Sequence, residues 1–224
     1  MAEFVVEFDN VGRPPTPDGR LDAPAFHRNV EPIWSALRPF LVGKHGHVLE
    51  AGSGTGQHIV EYARRTPDLV WWPSDYSEKH LQSIEAWRKH ADLANVGAPF
   101  RLDLAEPNWA RPLDFPAPGS LFAIFCANVL HIAPWRVAEG LLAAAARELR
   151  PDGRLFVYGP FKRDGMHTAP SNARFDASLR AENSEWGVRD IADLRTLARR
   201  NAMRVHDIVE MPVNNLVLIL ARDG

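Results

Sequence analysis

Three stretches of this chain carry side chains whose types and spacing suit a polar small-molecule ligand. The first, LEAGSGTGQH from Leu49 to His58, places Gly52, Gly54 and Gly56 at alternate positions behind a short apolar run that ends in Glu50. Glycine lets a backbone approach a ligand closely, and the amides that open the following helix can point at an anionic or polar group. Gly52, Ser53, Gly54 and Gly56 are therefore binding candidates. The second is LVWWPSD, whose Asp75 ends a strand-like run at the place where a carboxylate can take both hydroxyls of a ribose; an exposed capping aspartate is the plainer alternative. The third pairs RLDL, with Asp103 and Leu104, and FCANVLH, with Ala127, Asn128 and His131.

The glycine pattern excludes two familiar ligand classes. A dinucleotide fingerprint needs Gly or Ala at the position held by Gln57, and a phosphate-binding P-loop needs a Gly-Lys-Ser/Thr ending that is absent. What stands is Glu50-x-Gly52-x-Gly54-x-Gly56. Histidine titrates near neutral pH, so His131 and His167 are the candidates for a general base, against a buried hydrogen-bonded role for the first and simple exposure for the second. Tyr158 and Phe161 could wall an acceptor pocket, with Asn172 and Arg180 reaching it from the segment that follows. Asp176 and Arg180, four residues apart, more simply form an ion pair across one helical turn. Cys126 has no motif that places a base beside it and reads as a packed strand-end thiol.

These residues need elements to hold them. HVLEAG and LVWWPSD read as buried strands, each followed by a helix: QHIVEYARR, then EKHLQSIEAWRKHADL with Ser77 as N-cap. The rhythm continues through APFRLDL, LFAIFCANVL, the helix WRVAEGLLAAAARELR entered by Pro134, and RLFVYGPF. Such alternation predicts a parallel sheet with helices on both faces. RVHDIVEM and NNLVLILAR, about three residues apart, predict a closing antiparallel hairpin. An opening helix is expected from Asn29, with Asn29 as N-cap and Pro32 in its first turn. Residues 1–26 read as an N-terminal arm and 27–224 as one domain, interrupted at 162–189 by a polar insertion of the kind that forms lids or binding loops. Within it, SNARFDASLRAE is a helix candidate capped by Ser171 or Asn172.

With 224 residues, 46% hydrophobic and 24% charged, the chain suits a single globular domain. A formal charge of −2 gives no general attraction to nucleic acid or anionic lipid. One cysteine excludes an internal disulfide, no metal is expected from the histidine spacing, and MAEFVVEFDN lacks the features of a signal peptide. A soluble cytoplasmic protein is the expectation.

The glycine loop, WWPSD, RLDL, FCANVLHIAPW and LRPDGRL stand in the order seen in class I S-adenosylmethionine-dependent methyltransferases, which the chain resembles. The likeness runs further, from about Arg28 to the C-terminus, through RNVEPIWSALRPFL, YGPFKRDG, SNARFDASLR, WGVRD and MPVNNL. These resemble the small family that includes methyltransferase-like protein 26 and its bacterial relatives. The resemblance implies a Rossmann-like fold with a seven-stranded, mostly parallel sheet and S-adenosyl-L-methionine as cofactor. It implies cofactor contacts from Glu50, Gly52, Ser53, Gly54, Gly56, Asp75, Tyr76, Asp103, Leu104, Ala127 and Asn128. The adenine amino group would meet Asp103, and its ring Leu104. Arg28 follows His27 where the family usually has an acid, and its guanidinium would suit the cofactor's carboxylate. The implied reaction is an in-line methyl transfer to a small-molecule thiol, hydroxyl or small acid. A protein methyltransferase and a non-catalytic cofactor-binding protein are the alternatives. Nucleic acid is disfavoured because ANVL stands where amino-methylating DNA enzymes carry Asp/Asn-Pro-Pro-Tyr/Phe.

Overall fold

A computed structural model describes residues 16–106 and 108–223, so most of the expected arm, residues 1–15, lies outside the described residues. The chain runs α1 (Pro24–Leu41), β1 (Gly46–Ala51), α2 (Gln57–Arg65), β2 (Leu69–Asp75), α3 (Glu78–Ala91), β3 (Phe100–Arg101) and β4 (Leu121–Ala127). A short 3-10 turn, Leu130–Ile132, leads into α4 (Trp135–Glu148) and the long β5 (Leu149–Arg163). Then follow β6 (Met166–His167), α5 (Pro170–Glu182), β7 (Arg189–Asp190), α6 (Ile191–Arg200), β8 (Met203–Glu210) and β9 (Asn215–Arg222).

The strands form one sheet in the order β3-β2-β1-β4-β5-β9-β8, parallel as far as β5 and antiparallel in the β5–β9 and β8–β9 pairs. The expected α/β architecture and C-terminal hairpin are therefore present. The strand count is higher than seven, because β6 and β7 add to the seven on that path by pairing with the extension of β5. The insertion read from sequence as irregular is thus zipped to the sheet at both ends.

Alternation along each strand sorts the core into two layers. Val48, Phe125, Phe156, Val217 and Ile219 face Ile33, Leu37, Ile59 and Tyr62 of α1 and α2. Their neighbours Leu49, Ile124, Leu155 and Leu218 face Leu141, Leu142, Leu194 and Ala198 of α4 and α6. Because β2 and β4 lie on opposite sides of β1, the strand order reverses there, and a crevice opens at the carboxyl ends of these strands.

Two helix starts differ from expectation. α1 begins at Pro24, with Ala23 as N-cap and Asn29 in the helix interior; proline at the first position has its ring angle already set for a helix and no donor to lose. α5 likewise opens on Pro170 after Ala169 rather than on a Ser171 or Asn172 cap. Asp190 does cap α6, accepting from the Ala192 N–H at 2.8 Å.

Gly140 in α4 marks a close helix-to-loop approach, since a Cβ there would overlap the Leu104 carbonyl oxygen. Alanine in an exposed helix interior would stabilise it by about 0.5–1 kcal/mol. Here the overlap should dominate, and Gly140→Ala should cost roughly 1–3 kcal/mol net. Thermal unfolding would read this as a fall of several degrees in Tm, and an unchanged or raised Tm would refute the contact.

Candidate functional site

A cavity of about 520 Å³ occupies the crevice, within the range of roughly 300–1,000 Å³ usual for cofactor and ligand sites. Its floor is Glu50, Gly52, Ser53, Gly54 and Thr55, and one side is Asp75, Tyr76, Asp103 and Leu104. Ala127, Asn128 and Val129 from the end of β4 close a second side, and Ala23, Ala25 and Phe26 a third. Ten of the twelve residues expected at the cofactor are thereby brought to one cavity. The other two, Gly56 and Arg28, are not on its wall: Gly56 is the buried N-cap of α2 at φ 89°, and Arg28 is exposed on α1, its charge felt at Tyr158.

The loop does not work as the bare amide cradle expected from its glycines. Gly52 and Ser53 donate their N–H groups to the Ser74 carbonyl at 3.1 and 2.8 Å, and Gly56 donates to Ser53 at 3.0 Å. The Gly54 N–H donates to Asp75 Oδ2 at 2.8 Å. Four donors that could have received an anion are thus already engaged within the protein. The glycines are required for shape instead: Gly52 sits at φ 77°, where a Cβ would lie 2.6 Å from Val129 Cγ2, and one on Gly56 would lie 2.8 Å from the Ile84 backbone.

Asp75 is the central acceptor. Besides Gly54, it receives the Ser77 N–H at 2.9 Å and faces His80 Nδ1 at 3.0 Å, both through Oδ1. Asp103 Oδ1 accepts from the Ala105 N–H at 2.9 Å, which fixes the turn that carries Leu104. Tyr76 is partly exposed, with the Arg101 guanidinium 4.8 Å from its ring centre. Asn128 holds a left-handed backbone at φ 59°, a conformation asparagine tolerates better than most residues.

The lining carries four acids, Glu50, Asp75, Asp103 and Glu106, against one cation, Arg136, which is itself paired with Glu185 at 3.2 Å. Glu50 is fully buried and, among the described residues, its Oε2 has no hydrogen-bond partner. Burial pushes its carboxyl up to about 8, against a lowering by Ser53, with the Asp75 charge adding to the rise. His58, the second residue of α2, was not singled out from sequence. It lines the cavity with its ring against Phe26 at 5.0 Å and Tyr62 at 5.6 Å, and burial lowers it to about 4. The signal for it was its position directly after the glycine loop, on the helix turn that faces the crevice.

The residues expected at the acceptor or as bases lie outside this lining. None of His131, His167, Tyr158, Phe161, Asn172 and Arg180 lines the cavity. His131 is buried with its ring 5.5 Å from Phe175, and burial, then the charge of Arg189, lowers it to about 4. His167 Nε2 lies 3.2 Å from Asp176 Oδ2, which also takes Lys162 Nζ at 2.8 Å. Arg180 Nε and the Val188 N–H reach Asp176 Oδ1 at 3.2 and 2.7 Å. Burial raises the Asp176 carboxyl, but Lys162, Val188 and Arg180 outweigh it and hold the group below its ordinary value. Asn172 donates to Thr168 Oγ1 and to the Asn214 carbonyl, both at 3.0 Å. Tyr158 OH accepts from Asn215 Nδ2 at 2.8 Å, and Phe161 is core. Among the described residues no group of three or more His, Cys, Asp or Glu could hold a metal ion.

Solved structures share this architecture. An O-methyltransferase family protein from Burkholderia thailandensis matches with TM-score 0.71 at 18% identity, over 89% of this chain and 58% of that one. An O-methyltransferase family 2 protein from Planctomyces limnophilus, in complex with apigenin, matches with TM-score 0.70 at 17% identity, over 87% of this chain and 57% of that one. The putative methyltransferase bound to the Haloferax volcanii Trm112 methyltransferase activator matches with TM-score 0.68 at 14% identity, over 89% and 92% of the two chains. The chain spans a little over half the length of the first two. The fold is the Rossmann-like one of these class I methyltransferases. The family described as Protein of unknown function (DUF938) matches residues 20–222, and the chain belongs to it.

The raised Glu50 carboxyl couples stability to pH. Between the ordinary value of 4.5 and about 8 the folded state holds a proton that the unfolded state has lost, so stability falls as pH rises through that window. Denaturant midpoints should therefore decline from pH 5 to 8 in the wild type more steeply than in Glu50→Gln. Parallel curves would show that Glu50 is ionised in the fold.

Proposed function

We propose that this protein is an S-adenosylmethionine-dependent methyltransferase acting on a small-molecule acceptor, a thiol, hydroxyl or small acid. The observation that carries the reading is the chemistry of the cavity wall: loop amides already engaged, acids outnumbering cations, and one buried Glu50 oxygen without a partner. Such a wall suits a cationic ligand and not a phosphate. The residues present thus fit S-adenosylmethionine, whose sulfonium would supply an electrophilic methyl group. The motif likeness to the family of methyltransferase-like protein 26 supports the same reading, and the O-methyltransferase neighbours supply the shared fold.

In this reading Asp75 takes the ribose hydroxyls on the lone pairs left by Gly54, Ser77 and His80. Asp103 and Leu104 hold the adenine, with Tyr76 at its edge. Glu50 and the backbone of Gly52, Ser53 and Gly54 underlie the methionyl portion, beside Ala127 and Asn128, and Arg28 remains a candidate for its carboxylate. Phe26 and Val137 exclude water over the site, which strengthens every charge interaction inside it. Positioning and desolvation carry the acceleration of an in-line displacement, and no base is assigned, since His131 and His167 are held within the insertion's own contacts. Residues 162–189 act as the lid or acceptor-side insertion. Their anchorage supports this: the Gly187 N–H donates to the His131 carbonyl at 2.9 Å, and Arg189 binds the carbonyls of Leu130 and Ala133. That turn supplies Ile132 and Ala133 to the cavity wall. A cytoplasmic setting fits the lone, buried Cys126.

Calorimetric titration with S-adenosylmethionine tests the reading. The wild type should bind, and Asp75→Asn, which keeps the shape but removes the charge, should weaken binding about tenfold or more, as expected for a charge-assisted hydrogen bond of roughly 1.5–3 kcal/mol. No binding by a folded wild type would overturn it. With labelled methyl donor, counts in low-mass products support a small-molecule acceptor. Counts in protein would favour a protein methyltransferase, and tight binding without demethylated product a non-catalytic binder.

A further inference from the structure

Gln57, which breaks the dinucleotide fingerprint, is a buried residue, 3% exposed. Its Oε1 accepts the Ala23 N–H at 2.7 Å and the Thr55 hydroxyl at 2.9 Å, while its Nε2 donates to Asp22 Oδ1 at 2.8 Å. A second side chain from another helix repeats the arrangement. Ser83 of α3, fully buried, accepts the Leu21 N–H at 2.9 Å and donates to the Thr55 carbonyl at 2.8 Å. Trp87 Nε1 adds a bond to the Leu21 carbonyl at 2.9 Å. Each of the two buried side chains thus bonds both to the segment 21–23, Gln57 twice and Ser83 once, and to Thr55 of the glycine loop. The same segment continues into Ala25 and Phe26, which form the cavity wall facing that loop.

We propose that Gln57 and Ser83 are positioning residues that join residues 21–26 and the glycine loop into one cooperative unit, a strap that seats with the loop when the cavity is filled. A buried polar bridge whose five bonds are all made is rigid, and losing one partner leaves the others buried and unsatisfied. The strap therefore cannot lift without loosening Thr55, and the loop cannot shift without releasing the strap. Gln57 is in this view a specificity device of the site: Gly or Ala at its position, as in a dinucleotide loop, would leave Ala23 without its acceptor. The identity of the ligand in this proposal rests on the reading under Proposed function, but the coupling itself does not.

Native-state hydrogen exchange on the full chain tests it. In the ligand-free wild type, the amides of Leu21 and Ala23 in the strap and of Gly54 and Gly56 in the loop should open with one shared free energy, as members of a single cooperative unit do. Gln57→Leu and Ser83→Ala should each speed exchange at all four amides by about tenfold or more, while β9 amides keep their wild-type rates. S-adenosylhomocysteine should slow all four together in the wild type and dissociate faster from both variants. Strap amides that open independently of Gly54 and Gly56 would overturn the proposal, leaving the strap a mere tether. If either variant unfolds globally, as β9 exchange would reveal, the wild-type comparison still decides. Failure of S-adenosylhomocysteine to bind would count against the proposed function, and the ligand-free exchange would still settle the coupling.

Discussion

The site depends on one carboxylate. Asp75 sits at the carboxyl end of β2 and reaches across to the loop after β1, where its two oxygens gather the Gly54 N–H, the Ser77 N–H and His80. With the Ser74 carbonyl taking the amides of Gly52 and Ser53, the loop is stitched to the neighbouring strand and not left open to solvent. This constraint sets the loop's shape and leaves it without free donors at those positions. The wall is left with Asp75, Asp103 and Glu106 and, on the floor, a Glu50 carboxyl that burial pushes up to about 8.

Buried polar hubs recur on a larger scale. Asp176, four-fifths of the way along the chain, receives Lys162, His167, Arg180 and the Val188 N–H, and so ties both ends of the insertion to α5. Breaking a buried pair by removing one partner is costly even where the pair as a whole adds little. Such a hub gives the insertion a single arrangement, and through Arg189 and Gly187 that arrangement is passed to the turn at 130–133 beside the cavity. Gly187 is required here by contact, because a Cβ would come within 2.7 Å of Asp176 Oδ1.

The architecture was legible because it rests on local pattern. Strands such as HVLEA and LFAIFCA, each followed by a helix, leave few arrangements other than a parallel sheet, and motif order locates the crevice at β1. The residues along the rim of that crevice, from Glu50 through Asp75 to Asn128, were legible for the same reason, since each sits at or beside the carboxyl end of a strand. The acceptor-side residues were not, because their positions depend on long-range pairing. Nothing in the spacing of His167, Asp176 and Lys162 shows that β6 folds back on β5 and turns His167 inward. Nor does a run ending in VLH reveal that the 3-10 turn directs His131 toward Phe175. The early start of α1 was missed because Pro24 reads as punctuation in a proline-rich stretch, although at the first helical position it is compatible with the helix.

That early start has a structural consequence. A helix beginning at Asn29 would leave Ala23, Ala25 and Phe26 in an arm with no set position, and the cavity would be open on the side facing Thr55. Beginning at Pro24, the helix carries Phe26 onto His58 and leaves the short segment before it to be pinned by Gln57 and Ser83. The neutral imidazole then packs among Phe26, Tyr62 and Phe125, giving an apolar corner next to an acidic floor. For the sulfonium of the proposed function, this combination would offer contact without asking for full desolvation of a point charge. The departures from a generic nucleotide loop, Gln57 and His58, are thus the residues that tie the loop to the helix covering it.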